Sequence, residues 1–327
     1  MSLADKSLPR ILITGATGFV GPVLLNALKT GFFRDAELFV WEYNPDGETV
    51  GNQFNVDICS RQAVFSSIAA IRPTHVIHLA AQSHVPTSFA QPELTWNINV
   101  MGTLYLFEAI TTYVPEAGIL IISSSEVYGK SFQAGIALDE NALLQPQNPY
   151  AASKAAADLM AGQYASQGLH VLRIRPFNHV GPGQREEFVV SSFAAQIARI
   201  EAGLQSPVLH VGNLQAQRDF LDVRDVVRAY VLALEHIFDL PTGLVLNICS
   251  GVPQKIEELL FSLLAQASLS IKVEVDTARM RPSDIPLAVG IAGLAKQHLG
   301  WQAEIGFEET LVAVLDDWRA KVHSEGV

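Results

Sequence analysis

Tyr150 and Lys154 stand four residues apart in Pro149-Tyr-Ala-Ala-Ser-Lys, a spacing that puts both side chains on one face of a helix. There the ammonium can lie beneath the phenol and favour its ionised form, lowering a pKa that is about 10 when unperturbed. A phenol tuned this way exchanges a proton with an alcohol or a ketone. The pair alone is weak, because Tyr and Lys meet at this spacing on many surface helices. Its weight comes from Thr14-Gly-Ala-Thr-Gly-Phe-Val-Gly21, which closes an apolar run and opens a helix. Gly15, Gly18 and Gly21 permit a tight turn and close backbone approach, and the helix N-terminus faces a pyrophosphate. Together the two segments point to proton transfer beside a nicotinamide that exchanges hydride. The glycine spacing is GxxGxxG, a departure from the GxGxxG fingerprint.

Other residues could complete such a site. Glu42 stands at the end of the second apolar run, about twenty residues beyond the glycines, where an acid hydrogen-bonds the adenosine ribose and repels a 2′-phosphate. No Lys or Arg occurs between Arg34 and Arg61, so NAD(H) is favoured over NADP(H). Asp57 has two even readings, a cap on the adenine amino group or an acid ahead of a helix. In Ser123-Ser-Ser-Glu-Val-Tyr-Gly129, Ser124 can hydrogen-bond the reacting oxygen beside Tyr150, and Glu126 is a base or a turn cap. Asn178 can donate to a phosphate oxygen, while His179 reads as structural. Arg218 and Arg281 are forks suited to a diphosphate, and two of them in turn-rich contexts of an acidic chain favour a nucleotide-linked substrate.

The elements that must position these groups alternate. Arg10–Thr14, Glu37–Trp41, His75–Leu79, Gly118–Ile122 and Val171–Arg175 read as strands. Helices are expected at Phe19–Leu28, Arg61–Ile71, about Glu93–Tyr113 and Tyr150–Gln167. Such alternation predicts an α/β fold, a Rossmann-type doubly wound parallel sheet covered on both faces. After Pro176 the pattern loosens into a smaller mixed α/β lobe. The expected division is a dinucleotide-binding domain over residues 1–176 and a substrate lobe over 177–327, with a segment near 222–250 returning to the first. The cleft between them is the expected substrate site.

The chain has 327 residues, 49% of them hydrophobic, and a net charge of −11. That balance argues against nonspecific nucleic-acid binding, which needs a basic stripe. Cys59 and Cys249 have no metal-ligand spacing and read as reduced thiols; no metal site is expected. With neither a signal peptide nor an apolar run of the roughly 18–20 residues that cross a bilayer, a cytoplasmic protein without a membrane partner is expected.

With these motifs in hand, the sequence resembles the extended short-chain dehydrogenase/reductases that act on nucleotide sugars. The likeness covers nearly the whole chain: the glycine turn, His78-Leu-Ala-Ala-Gln82, Asn99-Val-Met-Gly-Thr103, Ser124 to Gly129, and Tyr150-Ala-Ala-Ser-Lys154. Phe177-Asn-His-Val-Gly-Pro-Gly-Gln184, Val211-Gly-Asn-Leu, Arg218-Asp-Phe and Arg281-Pro-Ser-Asp-Ile-Pro are similar to GDP-6-deoxy-4-keto-mannose reductases, which form GDP-rhamnose. GDP-mannose 4,6-dehydratases share part of this set. The resemblance implies a catalytic triad of Ser124, Tyr150 and Lys154. It implies a cofactor site of Gly15, Gly18, Phe19, Val20, Gly21, Glu42, Asp57, Ile58, Leu79, Ala80, Ala81, Asn99, Tyr150 and Lys154. It places Asn178, Arg218 and Arg281 on the nucleotide diphosphate and Ser83, Ser125 and Glu126 about the sugar. It also implies a homodimer through a four-helix bundle of the helices near 93–113 and 149–167. Where the reductases often carry a basic residue near the second strand end, this chain has Glu42 and Tyr43. The implied reaction is reduction of a 4-keto sugar. Two alternatives stand beside it: a 4,6-dehydratase or 4-epimerase with a recycled cofactor, and a noncatalytic dinucleotide-sensing protein.

Overall fold

Ile11, Leu12 and Ile13 have no solvent exposure, and that is possible only for a strand with neighbours on both edges and cover on both faces. In the computed structural model, which describes residues 8–279 and 285–325, β1 (Arg10–Thr14) has both. The chain continues through α1 (Val20–Thr30), β2 (Glu37–Glu42), β3 (Gln53–Asn55), α2 (Arg61–Ile71), β4 (His75–His78), α3 (Val85–Ala90), α4 (Pro92–Trp96), α5 (Gly102–Tyr113), β5 (Gly118–Ile122), α6 (Pro149–Ser166) and β6 (His170–Pro176). Next come β7 (Asn178–Val180), α7 (Val189–Glu201), β8 (Val208–Val211), β9 (Gln217–Asp222), α8 (Val223–Glu235), β10 (Val245–Ile248), β11 (Pro253–Lys255), α9 (Ile256–Leu264), β12 (Lys272–Val275), β13 (Leu287–Ala288), α10 (Gly293–Leu299) and α11 (Phe307–Glu325).

Seven parallel strands form the main sheet in the order β10-β6-β5-β4-β1-β2-β3. The chain winds outward from β1 in one direction and then from β4 in the other. The order therefore reverses between β1 and β4, and the crevice beyond their carboxyl ends is where such sheets bind ligands. Side chains alternate across β1. Ile11 and Ile13 face a core with Leu24 of α1 and Val226 and Tyr230 of α8, and Leu12 faces one with Ile68 of α2 and Leu106 of α5. Burying one such side chain stabilises the fold by about 1.5–3 kcal/mol.

The smaller lobe has its own core, where Phe193 and Ile197 of α7 meet Leu260 of α9 and Leu311 and Trp318 of α11. Its strands are β11-β9-β13, with β7 also paired to β9, and a parallel β8–β12 pair. The chain crosses back twice. α8 and β10 cover and extend the main sheet, and a second return brings Ala295, Leu299 and Trp301 into the core beneath it. Asp225 fixes that second return, accepting from the backbone nitrogens of Glu304 (3.0 Å) and Ile305 (2.9 Å).

One expected element is divided. The single helix expected over about Glu93–Tyr113 is α4 and α5 joined by a π-helical turn at Asn97–Met101. The wider turn swings Asn99 inward, where its amide is 2% exposed and bonds to two other segments; such turns are frequent at functional sites. Among the described residues no helix is long and apolar enough to cross a membrane.

Candidate active site

Gly15 adopts φ +69, and a Cβ on it would lie 2.7 Å from Ala80 Cα and N. Only glycine lets the turn after β1 meet the loop after β4 this closely. Gly18 N donates to Gly15 O, and Gly21 N to Gly18 O, while a Cβ on Gly21 would overlap the Ala16 carbonyl. α1 then starts with no capping side chain among the described residues and no acid in its first turn. Its first N–H groups and the positive end of its dipole are thus suited to a phosphate. Phe19 and Val20 are half-buried at this turn, and the Phe19 ring stacks on His179 with centroids 6.0 Å apart. Around the same crevice stand Glu42 at the carboxyl end of β2 and the half-buried Leu79, Ala80 and Ala81 beyond β4. Ile58 is packed beneath Gly102, whose added Cβ would lie 2.8 Å from it. These residues fit a dinucleotide. Asp57, read two ways from sequence, uses Oδ1 to accept from Cys59 N at 2.8 Å, so it shapes the turn ahead of α2. The helix itself is capped by Ser60, which accepts from Ala63 N.

α6 presents the candidate proton donor. Asn148 caps it by accepting from Ala151 N at 2.7 Å, and Pro149 holds its first position, where a missing N–H costs nothing. Tyr150 is 8% exposed and Lys154 7%. Burial pushes the Tyr150 phenol up to about 12; the Ser124 hydrogen bond lowers it and the Glu126 charge raises it further. This corrects the expectation that Lys154 lowers that pKa. Lys154 Nζ instead donates to Ile122 O at 2.6 Å. Burial brings Lys154 itself down to about 8, against a contrary pull from Asp158. Burial thus favours the neutral, protonated form of the phenol.

Ser124 follows β5, and its hydroxyl accepts from Glu126 N at 3.2 Å. Glu126 receives Asn148 Nδ2 at 3.3 Å, and its charge acts on both Tyr150 and Arg218. Gly129 turns the chain at φ +45, where a side chain would strike the Gln145 carbonyl. Ser125, Glu126, Gly129, Asn178, Arg218 and Ile285 line one cleft. Arg218 Nη1 is held by Gln217 O (2.8 Å) and Ile285 O (3.0 Å). Asn178 sits on β7, opposite Phe220 of β9. Ser83 is exposed ahead of α3. Arg281 lies outside the described residues. Among those residues no His/Cys/Asp/Glu group could hold a metal ion.

Residues that were not singled out in the sequence support this centre. Asp158 lies one helical turn beyond Lys154 and is fully buried. It binds Arg175 through both oxygens (2.9 and 3.0 Å) and Arg173 at 3.1 Å. Arg175 Nη1 reaches Tyr128 Oη at 3.1 Å, and Tyr128 donates to Asn247 Oδ1 at 2.7 Å. The signal was present, since Tyr150, Lys154 and Asp158 repeat every four residues on one helix face. Asn148 was a second such signal, as Asn before Pro at a helix start.

The family model described as GDP-mannose 4,6 dehydratase matches residues 12–314. GDP-6-deoxy-D-mannose reductase of Pseudomonas aeruginosa is 42% identical over 254 residues, which is 77% of this chain and 83% of that protein. GDP-mannose 4,6 dehydratase 2 of Arabidopsis thaliana is 33% identical over 268 residues, covering 80% and 70%. Among solved structures, RMD from Pseudomonas aeruginosa complexed with NADPH superposes with a TM-score of 0.83 at 35% identity, covering 96% of this chain and all of that one. UDP-glucose 4-epimerase of Thermus thermophilus, in complex with NAD, gives 0.82 at 30% identity, covering 95% and 99%.

Proposed function

The chain belongs to the GDP-mannose 4,6-dehydratase family, and we propose that within it this protein is a reductase that converts GDP-4-keto-6-deoxy-mannose to GDP-rhamnose. The observation that carries this is the buried phenol of Tyr150, which Ser124 and Glu126 both act on, with Glu126 in turn lining a cleft shared with Asn178 and Arg218. A phenol held neutral is a proton donor, which is what a ketone needs as it becomes an alkoxide. The similarity to a GDP-6-deoxy-D-mannose reductase supports the same substrate.

A reduced nicotinamide, when bound beyond the carboxyl ends of β1 and β4, would supply the hydride. Ser124 orients the sugar carbonyl, and Tyr150 Oη passes its proton to that oxygen. The phenolate left behind is stabilised by the Lys154 ammonium, one turn along α6. Asn178, Arg218 and Arg281 hold the diphosphate, and Ser83, Ser125 and Glu126 border the sugar. Gly15, Gly18, Phe19, Val20 and Gly21 take the dinucleotide phosphates, Glu42 the adenosine ribose, and Ile58, Leu79, Ala80, Ala81 and Asn99 the remaining walls. Either NAD(H) or NADP(H) suits the family, and Glu42, with no basic residue between Arg34 and Arg61, favours NAD(H).

A homodimer is part of this proposal. Leu94, Trp96 and Leu159 are exposed at 43%, 42% and 61% on α4 and α6, within the two segments near 93–113 and 149–167 that would form a four-helix bundle with a second copy. A cytoplasmic setting suits the soluble nucleotide sugar. A dehydratase is the second reading, favoured by one observation: Glu126 sits where it acts on the Tyr150 phenol, as a base for C5 would. Incubation with GDP-4-keto-6-deoxy-mannose and reduced dinucleotide, followed by NMR of the product, tests the proposal. GDP-rhamnose is the expected product; recovered starting ketone sinks it.

A further inference from the structure

A line of buried hydrogen bonds runs from the glycine turn to the backbone of Tyr150, with His78 at its centre. Thr14, His78, Asn99, Thr103 and Ser153 are all 3% exposed or less. Ala80 N donates to Thr14 Oγ1 at 3.2 Å, and Thr14 Oγ1 lies 2.7 Å from His78 Nδ1. On the other side of the ring, His78 Nε2 lies 3.0 Å from Thr103 Oγ1, which donates to Asn99 O at 2.7 Å. The Asn99 amide is then fully used. Oδ1 accepts from Gln82 N (2.8 Å), and Nδ2 donates to Gln82 O (3.0 Å) and to Ser153 Oγ (2.9 Å). Ser153 closes the line by donating to Tyr150 O at 2.7 Å.

Proton counting fixes the direction of every link. A hydroxyl has one proton to give. Thr103 gives its proton to Asn99 O, so toward His78 it can only accept, and His78 must carry its proton on Nε2. Nδ1 is then bare and takes the Thr14 proton, while Thr14 oxygen receives Ala80 N–H. The opposite tautomer would set Nδ1–H against Thr14, orphan the Thr14 proton and leave Thr103 oxygen without a donor, a costly outcome in a dry core.

We propose that His78 is a positioning residue whose Nε2–H tautomer locks the π turn at Asn97–Met101. Asn99 then clasps the loop at Gln82 with one side of its amide and the catalytic helix at Ser153 with the other. The spacing between the dinucleotide wall and Tyr150 is set by this line. The role rests on Tyr150 being the proton donor, but its tests do not need the sugar to be identified.

Ring-nitrogen NMR of ¹⁵N-histidine-labelled protein, with His78 assigned by its loss in His78→Gln, should show a neutral ring protonated on Nε2. A protonated ring or the Nδ1–H form overturns the proposal. In the second arm, His78→Leu is compared with His78→Gln, whose amide can restore an N–H toward Thr103. His78→Leu should weaken binding of the dinucleotide, read by nicotinamide fluorescence, about tenfold, and His78→Gln should recover most of that. In turnover, kcat should fall while the KM for the nucleotide sugar, whose diphosphate is held by Asn178 and Arg218 in the other lobe, changes little. A folded His78→Leu with unchanged affinity and kcat contradicts the role. Should that variant not fold, the near-isosteric Thr103→Val breaks the same line and must give the same split. If no nucleotide sugar turns over at all, the substrate proposal fails while the tautomer and binding results still decide this one.

Discussion

The ammonium of Lys154 donates to the carbonyl oxygen of Ile122 at 2.6 Å, tying the middle of α6 to the last residue of β5. Ser124 lies two residues beyond that carbonyl, so one hydrogen bond aligns the helix bearing Tyr150 with the strand end bearing Ser124. It also holds the positive charge within one helical turn of the phenol. Tyr150, Ser124 and Lys154 are thereby placed as a unit.

Tyr150→Phe keeps the ring and removes the proton. kcat should fall about 10²- to 10⁴-fold, with dinucleotide affinity retained, as measured by steady-state turnover and fluorescence titration. Normal turnover in this variant would remove Tyr150 from the mechanism.

The lowered pKa of Lys154, about 8 in the fold, predicts a rate that is level below that pH and declines above it as the ammonium is lost. Lys154→Arg should carry the decline to higher pH. The same shift has a stability consequence. Between about 8 and the ordinary 10.5 the unfolded chain binds more protons at this residue than the folded one. Its contribution to stability therefore rises with pH across that window, which denaturation of wild type against Lys154→Met can resolve.

On the proposed role of Arg218, Arg218→Ala should raise the KM for the nucleotide sugar about ten- to a hundredfold and leave kcat nearly unchanged, because a guanidinium on the diphosphate would act equally in ground and transition states. An equal loss in kcat would put Arg218 at the reacting carbon instead.

Asp158→Ala leaves Arg175 buried without its carboxylate, and breaking a buried pair in this way costs about 3–5 kcal/mol. Chemical denaturation should show that loss. Stability within error of wild type would mean the Arg173–Asp158–Arg175 cluster contributes little.

Glu42→Ser removes the acid at the end of β2 and should shift the ratio of kcat/KM for NADPH over NADH upward. No change in that ratio would show that cofactor choice is made elsewhere.

The sheet was legible in the sequence because its strands are short apolar runs closed by turns, and the glycine turn and the Tyr150 helix were legible because their chemistry is local. What escaped depended on partners far along the chain. The π turn at Asn97–Met101 forms where Asn99 is held by Gln82 and Ser153, 17 and 54 residues away, and no helical periodicity encodes that. The raised pKa of Tyr150 escaped for a similar reason. Spacing puts Lys154 on the same face, but burial is a property of the assembled core. The return of Trp301 to the main core depends on Asp225, 76 residues earlier, whose carbonyl accepts its indole N–H.

The central claim is tested most directly by absorbance at the reduced-nicotinamide band, with purified protein, GDP-4-keto-6-deoxy-mannose, and NADH or NADPH in parallel. Loss of signal equal to the ketone supplied is the predicted result. No loss with the ketone, together with conversion of GDP-mannose without net cofactor consumption, would contradict it and make the protein a dehydratase with Glu126 as its base.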